Sequence, residues 1–245
     1  MVGGAGEPAI VIIGGGGSTA ESMFSVNVAL ESTSRVVSLG IPTTAESVDQ
    51  AVEGIRTVLE ELHLERVVFL GHSLGGFIAQ AFAMRHPERV AGLVLSHSAI
   101  YLGAKARMIP VASALVRSLP QSWLIHMVTS QMDRLLEPVE ARAFWKQFVR
   151  EELSKPGAGA RTRHQFGLLG KAFADLRGFC GLPVPVQIIW AEDDRGFTRD
   201  EIENLGRLYP RSFTKIFPAP AGHLSFLSRT QEYVEVVRAF ARSAA

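Results

Sequence analysis

The chain has almost no cysteine. Cys180 is the single one in 245 residues, so no intramolecular disulfide can form, and a reducing compartment is the expected setting. An excess of either charge is also missing. Lysine and arginine number 25 against 24 aspartates and glutamates, a formal +1. That balance gives no electrostatic reason to expect nucleic acid or an acidic membrane surface as a partner. Long apolar runs are absent too. The opening MVGGAGEPAIVIIGGGG has no basic leader and is apolar only from Ala9 to Ile13, too short for a signal peptide or an anchor. No other segment reaches the length of a membrane span, so a soluble and by default cytoplasmic protein is expected. There is no internal repeat and no low-complexity tail.

What is present is a rhythm. Short β-branched runs at Ala9–Ile13, Arg35–Leu39, Arg66–Leu70, Ala91–Ser96, Val186–Trp190 and Phe213–Phe217 alternate with helical patterns. That alternation predicts an α/β fold with a mostly parallel, doubly wound sheet covered by helices. Thr43-x-x-Glu46 reads as a capping box ahead of a helix whose face is Val48, Val52, Ile55, Leu59 and Leu62. Ser228-x-x-Gln231 reads the same way ahead of Val234, Val237, Phe240 and Ala241. Between about Tyr101 and Pro183 no strand pattern appears. Four helical patterns stand there instead, around 106–118, 121–136, 138–153 and 162–176, with Pro138 suited to a first helical position and Lys155–Ala160 as the clearest breaker. The length suits one domain with an insertion: a core of 1–100 and 184–245, and a four-helix cap over 101–183.

Chemistry concentrates near residue 70, in ERVVFLGHSLGGFIAQAFAMRHPERV. A strand, Val67–Leu70, runs into Gly71-His72-Ser73-Leu74-Gly75. Phe77, Ile78, Ala81 and Phe82 follow at helical spacing until His86-Pro87 stops them. A nucleophile elbow needs that order, because the serine sits on a turn so sharp that the residues two before and two after it must lack a β-carbon. Gly71 and Gly75 meet the demand.

A serine hydroxyl is a weak nucleophile at neutral pH, so Ser73 needs a base and a third group that orients the base. On a parallel sheet these come from loops beyond the carboxyl ends of the strands. Val186–Trp190 runs into Ala191-Glu192-Asp193-Asp194, and Phe213–Phe217 runs into a loop ending Gly222-His223. The candidates are therefore Ser73, His223 and one of the two aspartates. His97 reads as a structural histidine with pocket lining as the alternative, and the His72 ring as packing on neighbouring strands. No two of the seven histidines share a metal-ligand spacing, so no metal and no cofactor is expected. An amide for a developing oxyanion is available at Leu74 N–H, the residue after the nucleophile.

Three stretches, GHSLGG at 71–76, HPERVAGLVLSHSA at 86–99, and VPVQIIWAEDD paired with AGHLSFL, resemble the α/β-hydrolase superfamily over nearly everything outside the insertion. The resemblance implies a Ser-Asp-His triad. It selects Asp194 over Asp193, because the family's acid lies three residues past the position of Ala191. It also puts a second oxyanion amide at Gly16, within Gly14–Ser18. There Gly14 replaces the family's usual histidine, which implies a loosely held loop. The short opening, the segment Ser38–Thr44 and Tyr209-Pro-Arg are similar to maspardin-like members, which are associated with protein binding. The apparent lack of opening antiparallel strands belongs to the same likeness.

As a rival, Gly15-x-Gly17-x-x-Ala20 fits a loose dinucleotide fingerprint, but no acidic residue follows the next strand at Ser38-Leu39-Gly40, and no Gly-Lys-Ser/Thr occurs. Met108, Met127, Met132, Trp123 and Phe144 suggest an apolar chamber under the insertion. The leading expectation is a serine hydrolase of a carboxylic ester, lactone or thioester with an apolar small-molecule acyl group. The alternatives are a C–C bond hydrolase or cyclase on the same triad, and a non-catalytic binding protein. Oligomeric state is not legible.

Overall fold

The computed structural model describes residues 1–100, 103–176 and 181–244, with the side chains of 103–106 excepted. Cys180 lies outside the described residues. The strands are β1 (Val2–Gly3), β2 (Ile10–Ile13), β3 (Val36–Leu39), β4 (Val67–His72), β5 (Val90–Ser96), β6 (Val186–Ala191) and β7 (Ser212–Phe217). They form one sheet in the order β1-β3-β2-β4-β5-β6-β7, parallel throughout except for β1. Residues Ile10–Ile13 and Val90–Ser96 are buried along their whole length, as continuous apolar strands covered on both faces must be.

The helices are α1 (Phe24–Leu30), α2 (Val48–Glu61), α3 (Leu74–Arg85), α4 (Gly103–Ser118), α5 (Gln121–Leu135), α6 (Arg142–Ser154), α7 (Ala158–Asp175), α8 (Arg199–Leu208), α9 (Ser225–Ser228) and α10 (Thr230–Ala244). One apolar cluster gathers α2, α3, α7 and α8 on one face of the sheet, and another gathers α1 and α10 on the other. Helices α4–α7 fill the stretch between β5 and β6. Helix α7 is tied to the core by Phe173, whose ring centroid lies 4.3 Å from that of Phe77. A second tie is Arg85 at the end of α3, which donates to both carboxylate oxygens of Asp175 at 3.0 and 2.9 Å.

Several local expectations are corrected. Thr43 does not cap α2. Ser47 does, its Oγ accepting from Gln50 N at 3.1 Å, because the helix begins later than the Thr43 pattern requires. Pro138 lies in the turn between α5 and α6, which starts at Arg142. Only 155–157 of the breaker are non-helical. Gly157 takes a left-handed φ of 80° before α7, which starts earlier than the expected 162. Ser228 ends α9 and spends its hydroxyl on Ala221 O at 2.6 Å instead of capping α10. The chain also opens with an antiparallel strand after all, since β1 pairs with β3 through Val2–Val37 and Gly3–Val36.

Candidate active site

Ser73 follows directly on β4 and precedes α3 with φ 50° and ψ −115°, a left-handed conformation that side chains adopt only under tight constraint. The constraint is visible on both sides. A β-carbon on Gly71 would come within 2.6 Å of Gly75 O and Gly76 Cα, and one on Gly75 would collide with the carbonyl oxygen of Ile13. Ser73 N–H donates to Ser96 O at 2.9 Å, which fastens the turn to β5. Leu74 N–H is the first amide of α3 and so has no intrahelical acceptor.

His223 sits in the loop after β7, just past Gly222 at φ 67°. Its Nδ1 lies 3.0 Å from Asp194 Oδ1 and 3.2 Å from Oδ2, while Ser73 and His223 border the same cavity. Asp193 points elsewhere. Its Oδ1 accepts from Gly222 N at 2.9 Å and Ala221 N at 3.2 Å, so the two adjacent carboxylates divide between the histidine ring and the backbone that carries it. Glu192 is exposed in its pairing with Arg199. The Asp194 loop is fixed by Trp190 Nε1–H donating to Phe197 O at 3.2 Å and by Gly196 N–H donating to Asp194 Oδ1 at 2.7 Å. Burial opposes ionisation of Asp194, but hydrogen bonds and charge from His223 and His97 outweigh it and hold the carboxyl well below the usual carboxylate range.

Two further histidines close around this pair. His97 does not border the cavity. It is fully buried at φ 45° after β5, with Nδ1 2.7 Å from Asp194 Oδ2 and Nε2 2.7 Å from Ser225 Oγ. His72 borders the cavity, with Nδ1 3.3 Å from Ser96 Oγ and its ring centroid 5.0 Å from that of His223. Burial, reinforced by the charges of His223 and His97, pushes the His72 imidazole well below its ordinary value. His97, Asp194 and His223 bring ligand-type atoms within 4.8 Å of one another. Those atoms are joined by hydrogen bonds, His97 Nδ1 and His223 Nδ1 both to the Asp194 carboxylate.

The cavity, about 210 Å³, is bordered by Gly15–Ser18 and Leu74 at its base, and by Val128, Met132, Trp145, Phe148, Phe166 and Leu169 from α5, α6 and α7. Of the residues expected to form an apolar chamber, only Met132 borders it. Met108, Trp123 and Phe144 are 68, 68 and 53% exposed, and Met127 packs against the cluster of Leu124, Val128 and Leu153. Met108, Trp123 and Phe144 fall on the outer sides of their helices, and sequence spacing alone does not distinguish the sides. No lysine or arginine borders the cavity among the described residues.

The glycine loop is not loose. Gln165 of α7, buried to 1% exposure, accepts from Gly17 N at 2.6 Å and donates through Nε2 to Ser18 O at 3.0 Å. Gly17 N–H is thus occupied. A β-carbon on Gly16 would meet nothing within 4 Å, so that residue faces open space at the cavity border, while one on Gly15 would lie 3.3 Å from Ser73 Cβ. Where the usual histidine would stand, a β-carbon on Gly14 would come within 2.8 Å of Ser18 Cβ. The clasp from Gln165 crosses 148 positions of sequence, and no local pattern announces it.

The chain belongs to the α/β-hydrolase fold family, whose model matches residues 8–230. It is 24% identical over 260 residues to an uncharacterized protein of Mycobacterium tuberculosis, covering 95% of this chain and 75% of that one. It is 35% identical over 109 residues to a 2-hydroxymuconate semialdehyde hydrolase of a Pseudomonas species, covering 44% of this chain and 34% of that one. Among solved structures, an esterase from a Rhodococcus species superposes with a TM-score of 0.82 at 20% identity, covering 100% of this chain and 94% of that one. No helix among the described residues is long and apolar enough to cross a membrane.

Proposed function

We propose that the protein is a serine hydrolase that cleaves a carboxylic ester, lactone or thioester of a neutral, apolar acyl group through an acyl-enzyme on Ser73. The observation that carries the reading is the strained Ser73 on the wall of an apolar cavity that His223 also borders, with Asp194 bound to Nδ1 of that histidine. In this reading His223 Nε2 takes the Ser73 proton as Oγ attacks the acyl carbon. The carbonyl oxygen becomes an oxyanion facing the Leu74 and Gly16 amides. His223 then returns the proton to the departing oxygen or sulfur, and water repeats the sequence to release the acid. Asp194 fixes the tautomer and stabilises the imidazolium. Residues 101–183 act as a cap that excludes water over a core of 1–100 and 184–245.

The likeness to a semialdehyde hydrolase favours a second reading, cleavage of a carbon–carbon bond on the same residues. A muconate-type substrate carries a carboxylate, however, and the described cavity border offers no cation to pair with it. The ester, lactone or thioester reading therefore stands first.

A serine-directed fluorophosphonate should label the wild-type protein at Ser73, and turnover of p-nitrophenyl esters should fall by roughly 10⁴-fold or more in Ser73→Ala. An alanine variant that keeps wild-type turnover overturns the proposal, as does label found elsewhere than Ser73.

A further inference from the structure

His97 is satisfied at both ring nitrogens by residues from two other segments: Asp194 in the loop after β6 and Ser225 at the start of α9, two positions beyond His223. The protons on this network follow from chemistry. A lone pair on His97 Nδ1 would repel the Asp194 carboxylate at 2.7 Å, so Nδ1 carries hydrogen and donates. Its Nε2 is then the acceptor, and the Ser225 hydroxyl donates to it. Burial keeps this imidazole below its ordinary pKa even beside a carboxylate, so it is a neutral donor. Asp194 consequently serves two imidazoles, and its bond from His97 is the shorter of the two.

We infer that His97 is a positioning residue which draws off part of the Asp194 charge and thereby sets the basicity of His223. A carboxylate that accepts a second strong donor has less electron density to offer the first, so the imidazolium form of His223 gains less from it. The catalytic meaning of this device rests on the proposed hydrolase reading, but the device itself is a property of the network. The other groups facing His223 do not substitute for it. His72 is held neutral by burial, Asp193 is engaged with the Ala221 and Gly222 amides, and the Phe197 ring at 5.9 Å is uncharged. Among the described residues no lysine or arginine pairs with Asp194 or His223.

The test is the titration of His223, followed through its imidazole resonances by NMR in the full chain, alongside the pH profile of kcat/KM. His97→Leu removes the competing donor, so the His223 resonances should titrate at higher pH than in the wild type, and the acid limb of the profile should move up with them. His97→Asn keeps an N–H donor near the same place and should leave the titration close to wild type. Ser225→Ala removes only the proton that holds the His97 tautomer, and should shift His223 in the same direction by less. A His97→Leu protein in which His223 titrates at the wild-type pH overturns the inference, even if its turnover is reduced. Should that variant fail to fold, Ser225→Ala decides, and an unmoved His223 there overturns it equally. The titration does not require Ser73 to react. A protein unlabelled by fluorophosphonate would therefore sink the hydrolase reading while leaving this result to stand or fall separately.

Discussion

The division of labour between Asp193 and Asp194 shows how one residue of register decides chemistry. Adjacent side chains in an extended or turn segment point in different directions, and here one carboxylate meets the ring of His223 while the other meets the backbone just before it. The two should therefore respond differently to the same small change. In the proposed hydrolase reading Asp194→Asn removes the charge that would stabilise the imidazolium and leaves an amide against two imidazole N–H groups, so turnover is expected to fall by roughly 10³-fold or more. Asp193→Asn retains an oxygen that can still accept from Ala221 and Gly222 N–H, so a loss within about tenfold is expected. Steady-state kinetics of both variants on one p-nitrophenyl ester checks the pair, and a reversal of the order would assign the acid to Asp193. From sequence, the resemblance chose Asp194. The role of His97 was out of reach, because its partners stand 97 and 128 positions away and a lone histidine after a strand has no signature of its own.

Among the elements, those with a strong period were legible and those defined by caps or by distant partners were not. The buried strands β2 to β6 and the amphipathic face of α2 follow from runs and spacings that depend on near neighbours only. The two-residue β1 has no pattern to read, and its pairing depends on β3 more than thirty residues on. Helix α8 is short, and Thr198 and Glu201 form a capping box there, with Glu201 N donating to Thr198 Oγ1 at 3.4 Å. The most consequential unread contact is the clasp between α7 and the glycine loop. Two hydrogen bonds from one buried amide hold a segment of four consecutive glycines whose backbone entropy would otherwise be large. Gln165→Met abolishes both. At about 1 kcal/mol per bond, kcat should drop roughly tenfold to thirtyfold, with a smaller change in KM. Gln165→Glu keeps the acceptor for Gly17 N–H but sets an oxygen against Ser18 O, so it should be worse than Met near neutral pH. It should recover as pH falls and the carboxyl gains the proton it can donate. A kcat unaffected by either change would mean that the loop holds its shape without α7.

At the scale of the molecule, the hydrolase reading proposed above takes its reacting groups from the sheet layer and their surroundings from the helices between β5 and β6, and the chemistry of those surroundings would limit what is accepted. Ser73, His223 and the Leu74 amide come from ends of strands and the start of a helix in the sheet layer. Facing them across about 210 Å³ are Val128, Met132, Trp145, Phe148, Phe166 and Leu169, with the uncharged Gln131 and Gln165 as polar neighbours. An acyl chain extending into that space exchanges water for apolar side chains, which stabilises it by about 0.8 kcal/mol for each methylene buried. A carboxylate at the end of the same chain would lose its hydration without gaining a cationic partner, at a cost of several kcal/mol. Two esters of equal chain length, p-nitrophenyl hexanoate and the mono-p-nitrophenyl ester of hexanedioic acid, isolate that difference. The neutral ester is expected to show a kcat/KM at least about 10²-fold higher at pH 7.5, where the free carboxyl is ionised. The gap should narrow toward pH 5 as the carboxyl begins to protonate, provided both rates are taken relative to the same acid limb. Equal rates at pH 7.5 would mean that the anion finds a partner in the cavity, and the carbon–carbon hydrolase reading, with its acidic substrates, would then take precedence.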